Sequence, residues 1–257
     1  MARFSLTLRE VDVLAQTLDV NIRQFPFDVP SFGEFQTDRQ RIAREVFLDL
    51  GRRGLIRGAD IDRELTRAFR VLSRSVITVA AMGTAEKTRK VYARAATDGE
   101  HGVLAVQEGE RLRLELIRPT ALAVSLVGLL PKVTAGPGQS VTVTRPAPVQ
   151  HDEDDFLTPV YGGGGNDQQL RVAASYLARP RTGTGFFSVA GRDRRTGKEL
   201  RGGNLTWIDT DAGRYLTLSR PVGEDGQVRS TFSPADSARL ASTLGEMIEA
   251  VAPLARR

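Results

Sequence analysis

The stretch that decides the fold runs Thr182-Gly-Thr-Gly-Phe-Phe-Ser-Val189, then a basic turn at 192–198, then Leu205-Thr-Trp-Ile-Asp-Thr-Asp-Ala-Gly-Arg-Tyr-Leu-Thr-Leu218. After Ser233-Pro-Ala-Asp236 it continues as an amphipathic run ending near Val251. Two periods are legible in it. Residues 186–190, 205–209, 215–218 and 228–231 read as strands. Leu240, Leu244, Ile248 and Val251, with Met247 beside them, recur at helical spacing. Asp211-Ala-Gly213 is a hairpin turn in which Gly213 supplies the positive φ, and Asp225-Gly226 is a second turn. Ser233 is expected to cap the helix, with Pro234 at its first position and Asp236 complementing its dipole. On strand 205–209, Leu205, Trp207 and Asp209 share one face and Thr206 and Ile208 the other. The lone Trp207 is expected to pack in the core under the helix.

Upstream, the same order recurs more loosely. Strands are expected at 76–81, 91–95, 103–107 and 112–117, separated by Gly83, Asp98-Gly99 and Gly109. An apolar helix follows from Pro119-Thr120 to Leu130. Both stretches read as a hairpin with a polar connector, a second hairpin, then a helix. The chain is therefore expected to be α+β, with two halves, 1–150 and 151–257, forming one compact body. The halves are expected to be related by a near-twofold rotation that lays 76–117 on 186–231, with both strand sets in one sheet.

Ahead of the first β set, Phe4–Leu6 reads as a short strand. Thr7-Leu-Arg-Glu10 is a capping box opening a helix to Leu18. Residues 25–30, Phe-Pro-Phe-Asp-Val-Pro, form an extended loop. Thr37-Asp-Arg-Gln40 reads as a second capping box, opening a helix to Arg53 with Ile42, Val46 and Leu50 inward and Gly54 past its end. Asp60 is expected to cap a third helix, striped with Ile61, Leu65, Phe69 and Leu72. Between the two β sets lie a candidate strand at 141–144, an acidic and glycine-rich surface loop at 150–165, and a helix at 170–177.

Composition narrows the function. The chain has 257 residues, 40% hydrophobic and 26% charged, enough for a substantial soluble core. It has no Cys, so neither disulfides nor thiolate metal sites are available. The start, Met-Ala-Arg-Phe-Ser, lacks a signal-peptide core, and the longest apolar run, 121–130, is too short to span a membrane. No membrane insertion is expected, and the absence of Cys is compatible with a reducing cytoplasm. The net charge of +5 invites a nucleic-acid reading, an Arg-rich regulator using the 40–74 helices. However, only Lys87, Lys90, Lys132 and Lys198 are lysines, and the arginines are scattered beside acids rather than gathered on one face.

Nothing assembles into catalysis. Residues 191–198 resemble a phosphate-binding loop but have one residue too many between the glycines and Glu199 where Ser or Thr is needed. His101 and His151 are the only histidines. The carboxylates after His151, Asp152 to Asp155, are contiguous rather than spaced to converge on a cation. Gly162 to Gly165 lack a Lys partner. No enzymatic activity, metal, nucleotide or other cofactor is expected.

The wording of several segments resembles the EspG family, cytosolic chaperones of actinobacterial type VII (ESX) secretion. These segments are Phe4-Ser-Leu-Thr-Leu-Arg-Glu-Val-Asp-Val-Leu14, Pro26-Phe27, Gly33-Glu-Phe-Gln-Thr-Asp-Arg39, Leu50-Gly-Arg-Arg-Gly-Leu55, residues 60–72, Gly183-Thr-Gly-Phe-Phe187, Trp207-Ile-Asp-Thr-Asp-Ala-Gly-Arg-Tyr-Leu216 and Ser233-Pro-Ala-Asp236. The resemblance implies a central antiparallel sheet with two helical bundles. It also implies a chaperone that covers the apolar tip of a helical PE–PPE-type heterodimer, keeping it soluble until export. The polar connector between Met82 and Val91, with the C-terminal half, would then form part of the client surface. The candidate partner-binding residues are Lys87, Arg89 and Lys90 on that connector and Phe187, Thr206 and Ile208 on the sheet.

Overall fold

Apolar alternation at the middle of the chain builds the centre of the molecule. The computed structural model describes residues 2–146, 171–222 except 173, 177 and 194, and 227–255. The acidic cluster after His151, the four-glycine run and the Asp225-Gly226 turn lie outside the described residues. Strand β4 (Ile77–Ala85) pairs antiparallel with β9 (Arg181–Arg192), setting Val79 against Val189 and Ala81 against Phe187. From this pair the sheet grows outward on both sides by successive antiparallel hairpins. On one side come β5 (Arg89–Thr97), β6 (Gly102–Glu108) and β7 (Arg111–Ile117), with β1 (Arg3–Thr7) at the edge. On the other come β10 (Glu199–Thr210), β11 (Gly213–Val222) and β12 (Gln227–Pro234), with β8 (Val141–Pro146) at the edge. Both β sets thus lie in one ten-stranded sheet. Strand β8 precedes β9–β12 in the chain but closes their far edge.

Strand alternation assigns each side chain to one of two faces. Face A carries Val79, Ala81, Val91, Ala93, Ala95, Leu104, Phe187, Val189, Leu205, Trp207 and Leu216, all buried in one core. Helices α4 (Leu122–Val127) and α5 (Ser237–Ala255) close it with Leu122, Leu126, Leu240, Leu244, Met247 and Val251. Face B carries Leu6, Ala96, Val103, Ala105, Leu112 and Leu114. There α1 (Leu8–Thr17), α2 (Gln36–Arg52) and α3 (Arg63–Ser73) cover β1 and β5–β7 with Val11, Leu14, Val46, Leu50, Leu65 and Phe69. A small two-stranded ribbon, β2 (Ile56–Arg57) and β3 (Asp60–Ile61), joins α2 to α3.

Several helix ends differ from the sequence reading. The Thr7–Glu10 capping box is present in both directions. Thr37 is not a cap: α2 begins at Gln36 after Phe35, which makes no side-chain cap bond. The third helix is capped by Asp62, which accepts from the backbone N–H groups of Glu64 and Leu65, because Asp60 is taken up in β3. Ser233 is not a cap either. Strand β12 carries it opposite Leu216, and the Asp236 carboxylate accepts from the Arg239 N–H instead. Gly54, in the left-handed region at φ 72°, follows α2 as expected.

The segment Trp207–Leu216 is a structural clasp. Asp209 and Arg214 face each other across the β10–β11 hairpin, both buried, with Nε–Oδ1 2.5 Å and Nη2–Oδ2 2.9 Å. Arg214 also donates to the Pro131 carbonyl at 2.9 Å and the Ser237 hydroxyl at 3.2 Å, tying the hairpin to the chain after α4 and to the start of α5. A buried guanidinium satisfied on this many sides is held firmly; removing either partner would strand a charge in the core.

Candidate functional site

The middle of face B is where the fold leaves side chains partly open. Helices α1–α3 cover its β1, β5–β7 side. At the far side, a small cluster of Val141, Val143, Tyr176 and Tyr215 covers β8 and β11, with the two tyrosine rings stacked 4.7 Å apart. Between them runs a strip floored by Met82 and Thr84 of β4, Thr184, Phe186 and Ser188 of β9, and Thr206 of β10, all partly exposed. The strip is mostly hydroxyl and backbone, with two larger apolar groups.

One wall of the strip is the loop between α1 and α2. Polar contacts pin this loop. Buried Asp12 accepts from Arg23 Nη2 at 2.5 Å, from the Phe32 N–H at 3.1 Å and from Arg39. Asp28 and Gln107 exchange two hydrogen bonds, at 3.0 and 3.1 Å. This anchoring holds Phe25, half exposed, stacked on Phe186 with centroids 6.0 Å apart.

The 82–91 connector is shorter than expected. Strands β4 and β5 pair as far as Ala85 and Arg89, leaving a three-residue tip. Side-chain polarity does not stop a ladder whose bonds are made by the backbone. Glu86 and Lys87 both adopt positive φ, 50° and 69°, and the Lys87 N–H is held by the Thr182 carbonyl at 2.6 Å. The basic 193–198 connector turns on Asp193, whose carboxylate accepts from the Arg195 and Thr196 N–H groups. The Thr196 bond foremost holds its pKa below the usual carboxylate range. The two tips sit at opposite ends of the sheet. Eight residue pairs separate them along β4 and β9, about 25 Å at ~3.4 Å per residue.

The structure divides the six residues singled out from sequence. Lys90, Thr206 and Ile208 share face B; Lys90 is exposed, Thr206 half-buried and Ile208 buried. Lys87 is exposed at the tip. Arg89 lies on face A, paired with Glu86 at 2.7 Å and donating to the Leu129 carbonyl at 3.1 Å. The expectation for Phe187 is corrected: it is fully buried on face A against Trp207, with ring centroids 4.8 Å apart. The aromatic that reaches the strip is its neighbour Phe186. Sequence reasoning also passed over Met82, Phe25 and Arg94. The signal for Phe186 was its parity: it pairs with Thr206, the residue that was chosen.

Trp207 is fully buried, as its strand position predicted. Gly185 makes room for it: a Cβ there would lie 2.3 Å from Trp207 Cη2 and 2.4 Å from the Met82 carbonyl oxygen. The glycines of the 182–187 segment are thus spacers for the core. Among the described residues, no three His, Asp or Glu side chains converge as a metal site would need, and no helix is long and apolar enough to cross a membrane.

The sequence model of the EspG family matches residues 7–246. The chain belongs to the EspG family. The matched range takes in both β sets, the pinned loop and about half of α5. No curated protein sequence matches it significantly. Its fold is similar to that of the Mycobacterium tuberculosis type VII secretion system chaperone EspG5, solved in complex with a PE25–PPE41 dimer, with a TM-score of 0.64 and 12% sequence identity over 97% of this chain and 96% of that one.

Proposed function

We propose that this EspG-family protein is a cytoplasmic chaperone of type VII secretion that binds a helical PE–PPE-type heterodimer, one copy per pair, and keeps it soluble until export. The observation that carries the reading is the family match across residues 7–246. The EspG5 chaperone of the same fold was solved bound to such a dimer. The client surface in this reading is the face B strip from Phe25 and Phe186 to Thr206, bordered by Lys87 and Lys90. Modest apolar area rimmed by hydroxyls and charges suits reversible capture of an aggregation-prone tip. Arg89 takes part by holding the 86–88 tip in shape, and Phe187 and Ile208 by supporting the strip from within the sheet.

The protein works by binding and not by catalysis, as one body of two halves, 1–150 and 151–257. The strand order, which reads outward from β4 and β9 in matching hairpins, supports a near-twofold relation between them. The family match and the fold of EspG5 lend the nucleic-acid alternative no support. The test is co-expression with PE–PPE-type pairs of the same genome, followed by size-exclusion chromatography. A 1:1:1 complex is expected with at least one pair; failure of every pair to co-elute contradicts the proposal.

A further inference from the structure

Ile22, Phe27 and Val29 of the α1–α2 loop turn inward and are buried, whereas Phe25 between them stays half exposed on Phe186. The hydrophobic effect accounts for the first three and gives no reason to present the fourth. What holds the loop in this shape is polar, and it centres on Asp12 in the middle of α1. Asp12 is 2% exposed, so no partner can touch it.

Three donors from separate points of the chain converge on its carboxylate: Arg23 on Oδ1, and the Phe32 N–H and Arg39 on Oδ2. Arg23 opens the loop, Phe32 follows its far end and Arg39 lies on α2. The Arg23 guanidinium also spans the base of the loop, donating from Nε to the Val29 carbonyl at 3.0 Å and from Nη2 to the Ser31 hydroxyl at 2.8 Å. A carboxylate accepts on both oxygens at once. An Asn amide has one acceptor oxygen, and its NH₂ would turn donors toward donors at the other position. The charge at position 12 is therefore what ties both ends of the loop to one point. On the sheet side, Arg94 Nη1 donates to the Phe25 carbonyl at 2.8 Å, which seats the loop over β5.

We propose that Asp12 is a positioning residue for partner binding: it never touches the partner, and it sets affinity by holding Phe25 where the strip receives the client. The partner rests on the chaperone reading; the placement of Phe25 rests on the geometry alone. A loop ordered beforehand spares the complex the cost of ordering it on binding. With the tie loosened, only the fraction of molecules whose loop is in place can bind, and the apparent affinity falls by that fraction.

The test places 4-fluorophenylalanine at position 25 of the whole protein and follows its fluorine signal by NMR, which senses the Phe186 ring stacked on it. Phe186→Leu in the same protein gives the signal without the stack. Asp12→Asn should move the signal toward that reference and broaden it. Arg23→Gln removes one donor and the brace across the base of the loop at a half-exposed side chain, and should move it the same way to a smaller extent. Calorimetric titration with a PE–PPE-type pair then reads affinity. D12N should weaken binding about tenfold and R23Q about threefold, through the loss of binding-ready molecules. Phe25→Ala alone should cost about thirtyfold, and in that background D12N and R23Q should cost nothing further. A defect unrelated to Phe25 would lower affinity in both backgrounds alike. If D12N does not fold, R23Q carries the test. A fluorine signal unmoved by the variants overturns the proposal. So does an affinity loss that persists in the F25A background, or unchanged affinity of the variants for a pair that the wild type binds. If no pair binds the wild type, the chaperone reading fails and takes the binding half of the proposal with it, while the fluorine signal still decides whether Asp12 places Phe25.

Discussion

Face A and the middle of face B share the same strands but are finished in opposite ways. On face A, large side chains meet helices α4 and α5 directly, and a fully buried ion pair, Asp209 with Arg214, is closed within the core. On face B, the corresponding positions of β4, β9 and β10 include Met82, Thr84, Thr184, Phe186, Ser188 and Thr206, all partly exposed, and the Arg94 guanidinium beside them is bonded to the Phe25 carbonyl. The difference teaches where this fold places its stability and where it leaves capacity for binding. Within Trp207–Leu216 itself, Trp207, Asp209, Arg214 and Leu216 lie on the sealed face and Ile208 and Tyr215 on the other.

The comparison can be broken most sharply at the clasp. Asp209→Ala or Arg214→Ala should lower the unfolding free energy by about 3–5 kcal/mol, the cost of stranding one member of a buried ion pair. Urea denaturation measures it; a loss below about 1 kcal/mol would mean the pair is not sealed. Next, Gly185→Val should cost about 1–3 kcal/mol by forcing a side chain onto Trp207 and the Met82 carbonyl. Its readout is the same denaturation curve, joined by a change in Trp fluorescence.

On the open strip the expectation reverses, with binding moved more than stability. Phe186→Ala should weaken partner binding by about 2 kcal/mol, the scale of an aromatic anchor, while the folded state loses less. Calorimetry on the purified complex checks the first and thermal unfolding the second. The smallest effect belongs to the hairpin tip. Lys87→Glu combined with Lys90→Glu should weaken binding by about 1–2 kcal/mol, chiefly through slower association at low salt. Its unfolding free energy should stay within about 0.5 kcal/mol of wild type, because exposed charges contribute little to folding. Unaltered association rates across a salt series would place the tip outside the interface.

Much of this fold was legible because its elements follow clean periods. The strands around Val79, Val103, Leu114 and Trp207 and the stripe of α5 announce themselves by alternation or by recurrence every three to four residues. What escaped were quantities set by pairing. Strand ends at Ala85 and Arg89 depend on ladder bonds that polar side chains do not interrupt. The caps at Asp62 and Asp236 were displaced from Asp60 and Ser233 because neighbouring strands claimed those residues. The site was half legible for a related reason. Thr206 and Ile208 share a face by simple alternation, whereas placing Phe186 or Phe187 beside them requires the β9–β10 register, which a bulge between Arg201 and Gly203 shifts. The surroundings of Arg94 could not be read from sequence, since nothing local foretells that its guanidinium meets the Phe25 carbonyl, 69 residues away.

The central claim is that the partner sits on face B. A photo-reactive benzoylphenylalanine in place of Phe186 probes the strip, and the same group in place of Val124, exposed on α4 over face A, serves as the control. With a co-expressed PE–PPE-type pair, irradiation should cross-link the pair to the Phe186 position and leave the Val124 position free. Cross-links from Val124 with none from Phe186 would contradict the account.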